Sequence, residues 1–138
     1  LKQLQDLEGK AIKAAENNDL DTALHHCDQA ISLEPTYASA YNNKAQILRM
    51  SKKSKIALDS LNLAIQHAHG DKRILRQAYT QRAILRKEMG DQEGSASDFE
   101  MGAKYGHTLA KAAATAENPY AKMCHAMVME SLRNEGAI

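Results

Sequence analysis

The sequence predicts an all-α fold, a right-handed superhelical stack of three helical hairpins followed by C-terminal capping helices. Small residues recur in the middle of helix-like segments at Ala23, Ala57 and Ser95, with spacings of 34 and 38 residues. Around each of them, a large apolar residue lies sixteen positions earlier and a small residue twelve positions earlier. A period of about 34 residues built in this way is typical of stacked helix pairs, which bury their apolar faces against one another.

Turn and capping signals divide the chain into helices. Asp19 and Asp71 are suited to cap helix starts, and Pro35, Gly70 and Gly90 are placed to end helices. The expected helices span about 2–17, 20–33, 37–50, 54–68, 72–89, 92–105, 107–116 and 119–134. We therefore predict one domain over 1–138, with repeat 1 at 4–37, repeat 2 at 38–71, repeat 3 at 72–106 and capping helices at 107–134.

The spacing of 38 residues exceeds the period by four, which is about one helical turn. We interpret Asp71 to Leu75 as an extra turn on the first helix of repeat 3, because an added turn keeps the apolar face in phase. Within that helix, we expect Leu85 to be buried and the neighbouring Arg86 to extend its charged end into water.

Composition and charge exclude several classes of function. The net charge is +1, which favours neither nucleic acid nor an anionic membrane as partner. Cys27 and Cys124 are too few and too far apart for a disulfide framework, and no apolar run approaches ~18 residues. These features favour a cytoplasmic protein. The chain starts at Leu1 within a helical pattern, so we expect that a further segment precedes it in the full protein.

No group of residues indicates catalysis or a metal site. His25, His26 and Cys27 are consecutive, and consecutive helical side chains point about 100° apart, so they do not converge on one ion. No carboxylate pair, glycine-rich phosphate loop or nucleophile motif stands out. We predict a protein that is not an enzyme and that has no cofactor and no metal.

Three stretches carry a resemblance to a known family. They are Ser39 to Gln46, the pair Gln81-Arg82 with Asp98-Phe99-Glu100, and Asn118-Pro119-Tyr120-Ala121 with Cys124 and Met127. The chain resembles tetratricopeptide-repeat proteins over 4–106 and, more closely, the tetratricopeptide repeat protein 36 family. The resemblance implies a non-catalytic cytosolic adaptor or co-chaperone that binds the heat-shock 70 chaperone. An adaptor for an enzyme of tyrosine breakdown and a cilium-related assembly factor are the alternatives.

The superfamily resemblance also supplies a test for one binding mode. Many such proteins grip the acidic C-terminal tail of a heat-shock chaperone with a carboxylate clamp of Lys, Asn and Arg side chains. Alignment of the repeats puts the five clamp positions at Glu8, Ile12, Asn43, Gln77 and Gln81, and only Asn43 matches. Since Glu8 reverses a charge and both glutamines lack one, we predict that the chain does not bind an acidic tail through a clamp.

The concave face of the predicted stack is the first candidate for partner binding. Its side chains are mainly polar, which suits an extended or helical peptide; the alternative is that they are only solvated helix faces. The candidates are Gln5, Glu8, Ile12, Ser39, Asn42, Asn43, Gln46, Arg49, Gln77, Thr80, Gln81, Ile84 and Lys87.

An apolar stripe in the last predicted helix is the second candidate. It consists of Tyr120, Met123, Cys124, Met127, Val128 and Leu132. Three interpretations remain open: a cap on repeat 3, a Met-rich surface for a partner helix or for self-association, and a segment that folds into the groove. We expect a monomer, with dimerisation through this helix as the alternative.

Overall fold

The computed structural model describes residues 1–107 and 110–111, and these form a stack of three antiparallel helical hairpins. The predicted all-helical repeat fold is confirmed. The first helices of the hairpins contact one another in order, α1 with α3 and α3 with α5, and each second helix also packs against the first helix of the next hairpin, α2 against α3 and α4 against α5. The helices are α1 Lys2–Glu16, α2 Leu20–Leu33, α3 Ala38–Met50, α4 Ser54–His67, α5 Lys72–Glu88 and α6 Gln92–Lys104.

The recurrent small residues lie where the two helices of a hairpin touch. Ala23 and Ala57 are completely buried, and Ser95 is 2% exposed. The Ser95 hydroxyl also donates a hydrogen bond of 2.8 Å to the Ala83 carbonyl oxygen, which joins α6 to α5. A larger side chain at these positions would push the helices apart, because helix backbones approach closely only over small residues.

The third hairpin has the longest first helix. Helix α5 contains 17 residues and α3 contains 13, a difference equal to the excess in the sequence spacing. The Asp71 carboxylate caps α5 by accepting hydrogen bonds from the backbone N–H groups of Arg73 (3.0 Å) and Ile74 (3.3 Å). The cap fixes the start of the longer helix one turn earlier than in the second hairpin.

A buried ion cluster links α5 to α6. Asp98 is 2% exposed, and its carboxylate accepts two hydrogen bonds from the Arg82 guanidinium (2.8 and 2.9 Å) and one from Arg86 (2.8 Å). Leu85 is 1% exposed, as predicted. The prediction for Arg86 is wrong: its guanidinium does not extend into water but turns to Asp98, which needs positive charge to compensate for burial.

The C-terminal region beyond α6 is described at residues 105–107, 110 and 111. Ala110 and Lys111 are helical, and Ala110 is buried beside Ile84 and Phe99. The remainder of the two predicted terminal helices lies outside the described residues, and so does the stripe formed by Tyr120, Met123, Cys124, Met127, Val128 and Leu132. In the described part of the chain, no helix has the length and apolar character needed to span a bilayer.

Candidate functional site

Polar side chains connect α1, α3 and α5 across the concave side of the stack. They form two clusters, one between α1 and α3 and the other between α3 and α5. Both arise because hydrogen-bonding side chains occupy positions where each first helix faces the next. An apolar cleft lies beside the first cluster.

The first cluster surrounds the carboxylate of Glu8. One carboxylate oxygen accepts a hydrogen bond from the Tyr37 hydroxyl, and the other accepts bonds from Ser39 Oγ (2.9 Å) and Asn43 Nδ2 (3.2 Å). All four residues are half-buried. We call these four residues the Glu8 cluster. In this cluster, three neutral groups donate hydrogen bonds to one anionic carboxylate. Such charge-assisted hydrogen bonds are stronger than bonds between neutral groups.

The second cluster consists of side-chain amides. Asn42 Nδ2 donates to Gln77 Oε1 (2.9 Å), and Gln81 Nε2 donates to Asn42 Oδ1 (2.9 Å). Arg49 Nη1 then donates to Gln81 Oε1 (3.2 Å). Asn42 and Gln81 are only 6% and 8% exposed. These amides therefore hold α3 against α5, since a buried polar group is stable only when hydrogen-bonded.

The apolar cleft opens between α1 and α3 and has an empty volume of about 390 Å³, including open solvent at its mouth. Ile12 and Met50 are large apolar side chains on its walls, and they are 44% and 48% exposed. Polar groups of Asn43 and Gln46 lie beside them. The complete lining is Ala11, Ile12, Ala15, Glu16, Asn43, Gln46, Ile47 and Met50.

Two of the predicted groove residues do not face the groove. Thr80 is fully buried, and its hydroxyl donates to the Arg76 carbonyl oxygen (2.6 Å). Ile84 is 3% exposed and packs with Phe99 and Ala110. Both predictions of groove exposure are wrong, because these positions of α5 are covered by α6 and by Ala110.

Of the other predicted groove residues, Asn42 and Gln81 are buried in the amide cluster, and the rest differ in exposure. Gln5, Ile12 and Gln77 are exposed, whereas Ser39, Asn43, Gln46, Arg49 and Lys87 are half-buried. Lys87 donates to Gln92 Oε1 (3.4 Å), which draws its side chain towards α6. A partner-binding role for these residues stays a prediction.

Two residues of this surface, Tyr37 and Met50, were not predicted from the sequence. Tyr37 immediately precedes α3, and the sequence showed no periodic signal for it. Met50 had a signal, because Asn43, Gln46 and Met50 follow one another at spacings of three and four residues, which place them on one helix face.

Comparison with known proteins agrees with this architecture. A family model described as "Tetratricopeptide repeat" matches residues 26–59. The chain is 42% identical over 137 residues to tetratricopeptide repeat protein 36 of Danio rerio, covering 97% of this chain and 73% of that protein. It is 38% identical over 132 residues to the Homo sapiens protein of the same name, covering 96% of this chain and 70% of that protein. The chain belongs to the tetratricopeptide repeat protein 36 family.

Solved structures share the fold of this family member at low sequence identity. The first repeat domain of Spaghetti (RPAP3), solved with an HSP90 peptide, aligns with a TM-score of 0.71 at 18% identity, over 92% of this chain and 94% of that one. The N-terminal domain of the stress-induced protein STI-1 from C. elegans aligns with a TM-score of 0.68, also at 18% identity, over 88% of this chain and 92% of that one. At this identity the likeness shows the fold alone.

The thiol of Cys27 is poorly suited to chemistry in this tetratricopeptide repeat protein 36 family member. Cys27 is 3% exposed, and burial, assisted by the charge of Asp28, raises its pKa to about 12. A thiol in this state is neither a nucleophile nor a good metal ligand near neutral pH. Among the residues that the structure describes, no group of three or more His, Cys, Asp or Glu side chains could hold a metal ion.

The Tyr37 hydroxyl gives the Glu8 cluster a measurable pH dependence. Burial, and then the hydrogen bond to Glu8, raises the pKa of Tyr37 from 10 to about 12. The folded state therefore keeps the phenol proton that the unfolded state loses near pH 10. The resulting stabilisation is complete below pH 10 and is lost as the pH rises to about 12. We expect the stability difference between wild type and Tyr37→Phe to shrink over this window.

Urea unfolding of both proteins at pH 9 and at pH 11.5 measures that difference, and absorbance at 295 nm follows tyrosine ionisation directly. Tyr41→Phe serves as the control, because the Tyr41 hydroxyl donates to the Pro35 carbonyl oxygen rather than to a carboxylate. A difference between wild type and Tyr37→Phe that stays constant with pH would contradict the prediction.

Proposed function

We propose that this chain is a non-catalytic scaffold that binds a segment of another protein in its concave groove. The observation that carries the proposal is the cleft between α1 and α3, where Ile12 and Met50 expose apolar surface inside a concavity. Ligand-binding clefts combine apolar walls with a few polar groups that orient the ligand. Repeat stacks typically bind on such concave surfaces.

The proposed occupant is an extended or helical peptide that places an apolar side chain between Ile12 and Met50. Asn43 and Gln46 lie at the right place to orient its backbone, since side-chain amides both donate and accept hydrogen bonds. Asn42 is not part of the proposed contact surface, because it is 6% exposed and both its Nδ2 and its Oδ1 are bonded, to Gln77 and Gln81. Asn43 differs, because its bond to Glu8 engages Nδ2 and not Oδ1.

The partner suggested by the family resemblance is the heat-shock 70 chaperone, and we propose that it binds without a carboxylate clamp. The Glu8 cluster supports this mode, because a carboxylate stands where clamp proteins have a lysine. Gln81 adds support, since its side chain is engaged in holding α3 to α5. A co-chaperone of this kind would contact a part of heat-shock 70 other than its acidic tail.

Co-purification with heat-shock 70 tests the proposal. Binding is compared for the full chaperone and for a form that lacks its acidic C-terminal tail, using wild type and an Ile12→Asp/Met50→Asp variant. Ile56→Asp is the matched control, because Ile56 is 52% exposed but lies on α4, outside the cleft. We expect equal binding of both chaperone forms, loss with the cleft variant and retention with the control.

Three results would count against the proposal in different ways. Loss of binding on removal of the tail would overturn the clamp-free mode. Retention by the cleft variant would overturn the groove as binding site. If heat-shock 70 does not co-purify but another protein does, and if capture of that protein requires Ile12 and Met50, only the proposed identity of the partner is wrong.

A direct prediction concerns the tail itself. Losing three cations removes contacts worth about 1.5–3 kcal/mol each, which is enough to abolish micromolar affinity. In isothermal titration calorimetry, we expect a short acidic C-terminal peptide to give no saturable heat with the wild-type chain. A micromolar dissociation constant that Asn43→Ala destroys would contradict this.

A further inference from the structure

The hydrogen bonds around Glu8 have the arrangement of a ligand site. Ser39 and Asn43 are four residues apart and therefore project from the same face of α3, and Tyr37 precedes that helix. Their three donor groups converge on a single carboxylate, which is supplied by a different helix, α1. No cation takes part in these three bonds.

We propose that Tyr37, Ser39 and Asn43 form a carboxylate-binding site and that Glu8 is its internal ligand. The donors are held by α3 and its preceding turn, and Glu8 reaches them from α1 on the concave side. Because the Glu8 carboxylate is tethered beside the donors, its effective concentration is high, and a free carboxylate has to displace it. Glu8 thereby determines which ligands this part of the groove accepts.

Occupancy of the site by Glu8 differs from simple charge repulsion, and the two mechanisms predict different behaviour of variants. If Glu8 only repels anions, removing its charge is sufficient, and Glu8→Gln admits a carboxylate as well as Glu8→Ala does. If Glu8 fills the site, Glu8→Gln still occupies it, because glutamine has nearly the same shape and retains an acceptor oxygen. Only Glu8→Ala then leaves the three donors open.

The consequence for partners rests on the proposed function, since it concerns the same groove. A partner that presents Asp, Glu or a C-terminal carboxylate to this point competes with Glu8 and is disfavoured. A partner that presents a neutral or basic group leaves Glu8 with its donors. The site therefore selects against acidic segments with three donors that are all neutral.

Acetate is the probe for the site. Thermal unfolding of wild type, Glu8→Gln and Glu8→Ala is measured in sodium acetate and in sodium chloride at equal ionic strength and pH 7. We expect Glu8→Ala to lower Tm by roughly 3–6 °C, because the donors lose their acceptor. We expect acetate at about 0.5 M to restore roughly 2 °C or more of this loss, and to give no specific shift in the other two proteins.

A second variant tests whether the acetate binds at the proposed donors. In Glu8→Ala/Asn43→Ala, the acetate-dependent shift should fall by at least half, because one of the three donors is gone. If Glu8→Ala unfolds in chloride, circular dichroism at 222 nm follows its refolding with added acetate, and the same dependence on Asn43 is expected. Both results would support the site.

If acetate raises the Tm of Glu8→Gln and Glu8→Ala equally, Glu8 acts by repelling anions, and the proposal that it fills the site is wrong. An acetate effect that is equal in all proteins, or no refolding with acetate, would overturn the site itself. Neither outcome bears on the proposed function, which is tested separately by co-purification with heat-shock 70 and the Ile12→Asp/Met50→Asp variant. Conversely, a failure of chaperone binding leaves the acetate result intact.

Discussion

Asp98→Ala is expected to lower the free energy of unfolding by about 3–5 kcal/mol, because it leaves two guanidinium groups without their common carboxylate. Asp98 is almost fully buried, and it bonds Arg82 through two hydrogen bonds and Arg86 through one. Arg82 cannot simply turn to water, since its guanidinium also donates to Asn62 and lies 5.2 Å from the centre of the Tyr79 ring. Removing the carboxylate therefore disturbs α4, α5 and α6 together.

Urea unfolding followed by circular dichroism measures this loss. Asp59→Ala is the control, because Asp59 is an exposed aspartate on α4, and we expect its effect to stay within about 0.5 kcal/mol. Asp98→Asn keeps the side-chain volume but removes the charge, and it should destabilise less than Asp98→Ala. A loss below about 1 kcal/mol for Asp98→Ala would show that the arginines find other partners or water.

The periodic small residues made the fold predictable from the sequence. Ala23, Ala57 and Ser95 lie at contacts between helices, where only a small residue fits. Their regular spacing can therefore be read directly from the sequence. The ion cluster left no comparable signal. Arg82 and Asp98 are sixteen residues apart on different helices, so their pairing depends on how α5 and α6 pack, which no local spacing encodes.

The candidate groove was predictable in position but not in detail. Alignment assigned Glu8, Asn43 and Gln81 to clamp positions of the first helices, but it gave no contacts between their side chains. In the structure, Glu8 and Asn43 bond each other and Gln81 bonds Asn42. Long polar side chains on adjacent parallel helices can reach one another, and rotamers decide whether they do so. Rotamers are not encoded in a repeat pattern.

Leu61→Ala is expected to lower the free energy of unfolding by about 3–5 kcal/mol, in the upper part of the range for such substitutions. Leu61 is completely buried at the centre of a core cluster that joins α3, α4 and α5. Four of the other buried residues of that cluster are alanines: Ala45, Ala57, Ala64 and Ala78. Alanine has no side-chain rotamers, so these neighbours cannot move into the vacated space, and most of the cavity remains open.

The same substitution should also weaken the coupling between the second and third hairpins. Leu61 packs in one cluster with Leu48 of α3 and Leu85 of α5, and the stability of a repeat stack depends on such interfaces between neighbours. We therefore expect a lower urea m-value, or a second unfolding transition, in addition to the lower midpoint.

Leu63→Ala is the matched control, because it removes the same atoms from the same helix at a side chain that is 37% exposed. Its expected effect is at most about 1 kcal/mol, with an unchanged m-value. Equal losses for Leu61→Ala and Leu63→Ala would mean that the alanine-rich core collapses around the cavity. The backbone of α4 would then have to move towards α3 and α5, and the contacts that shape the concave groove would move with it.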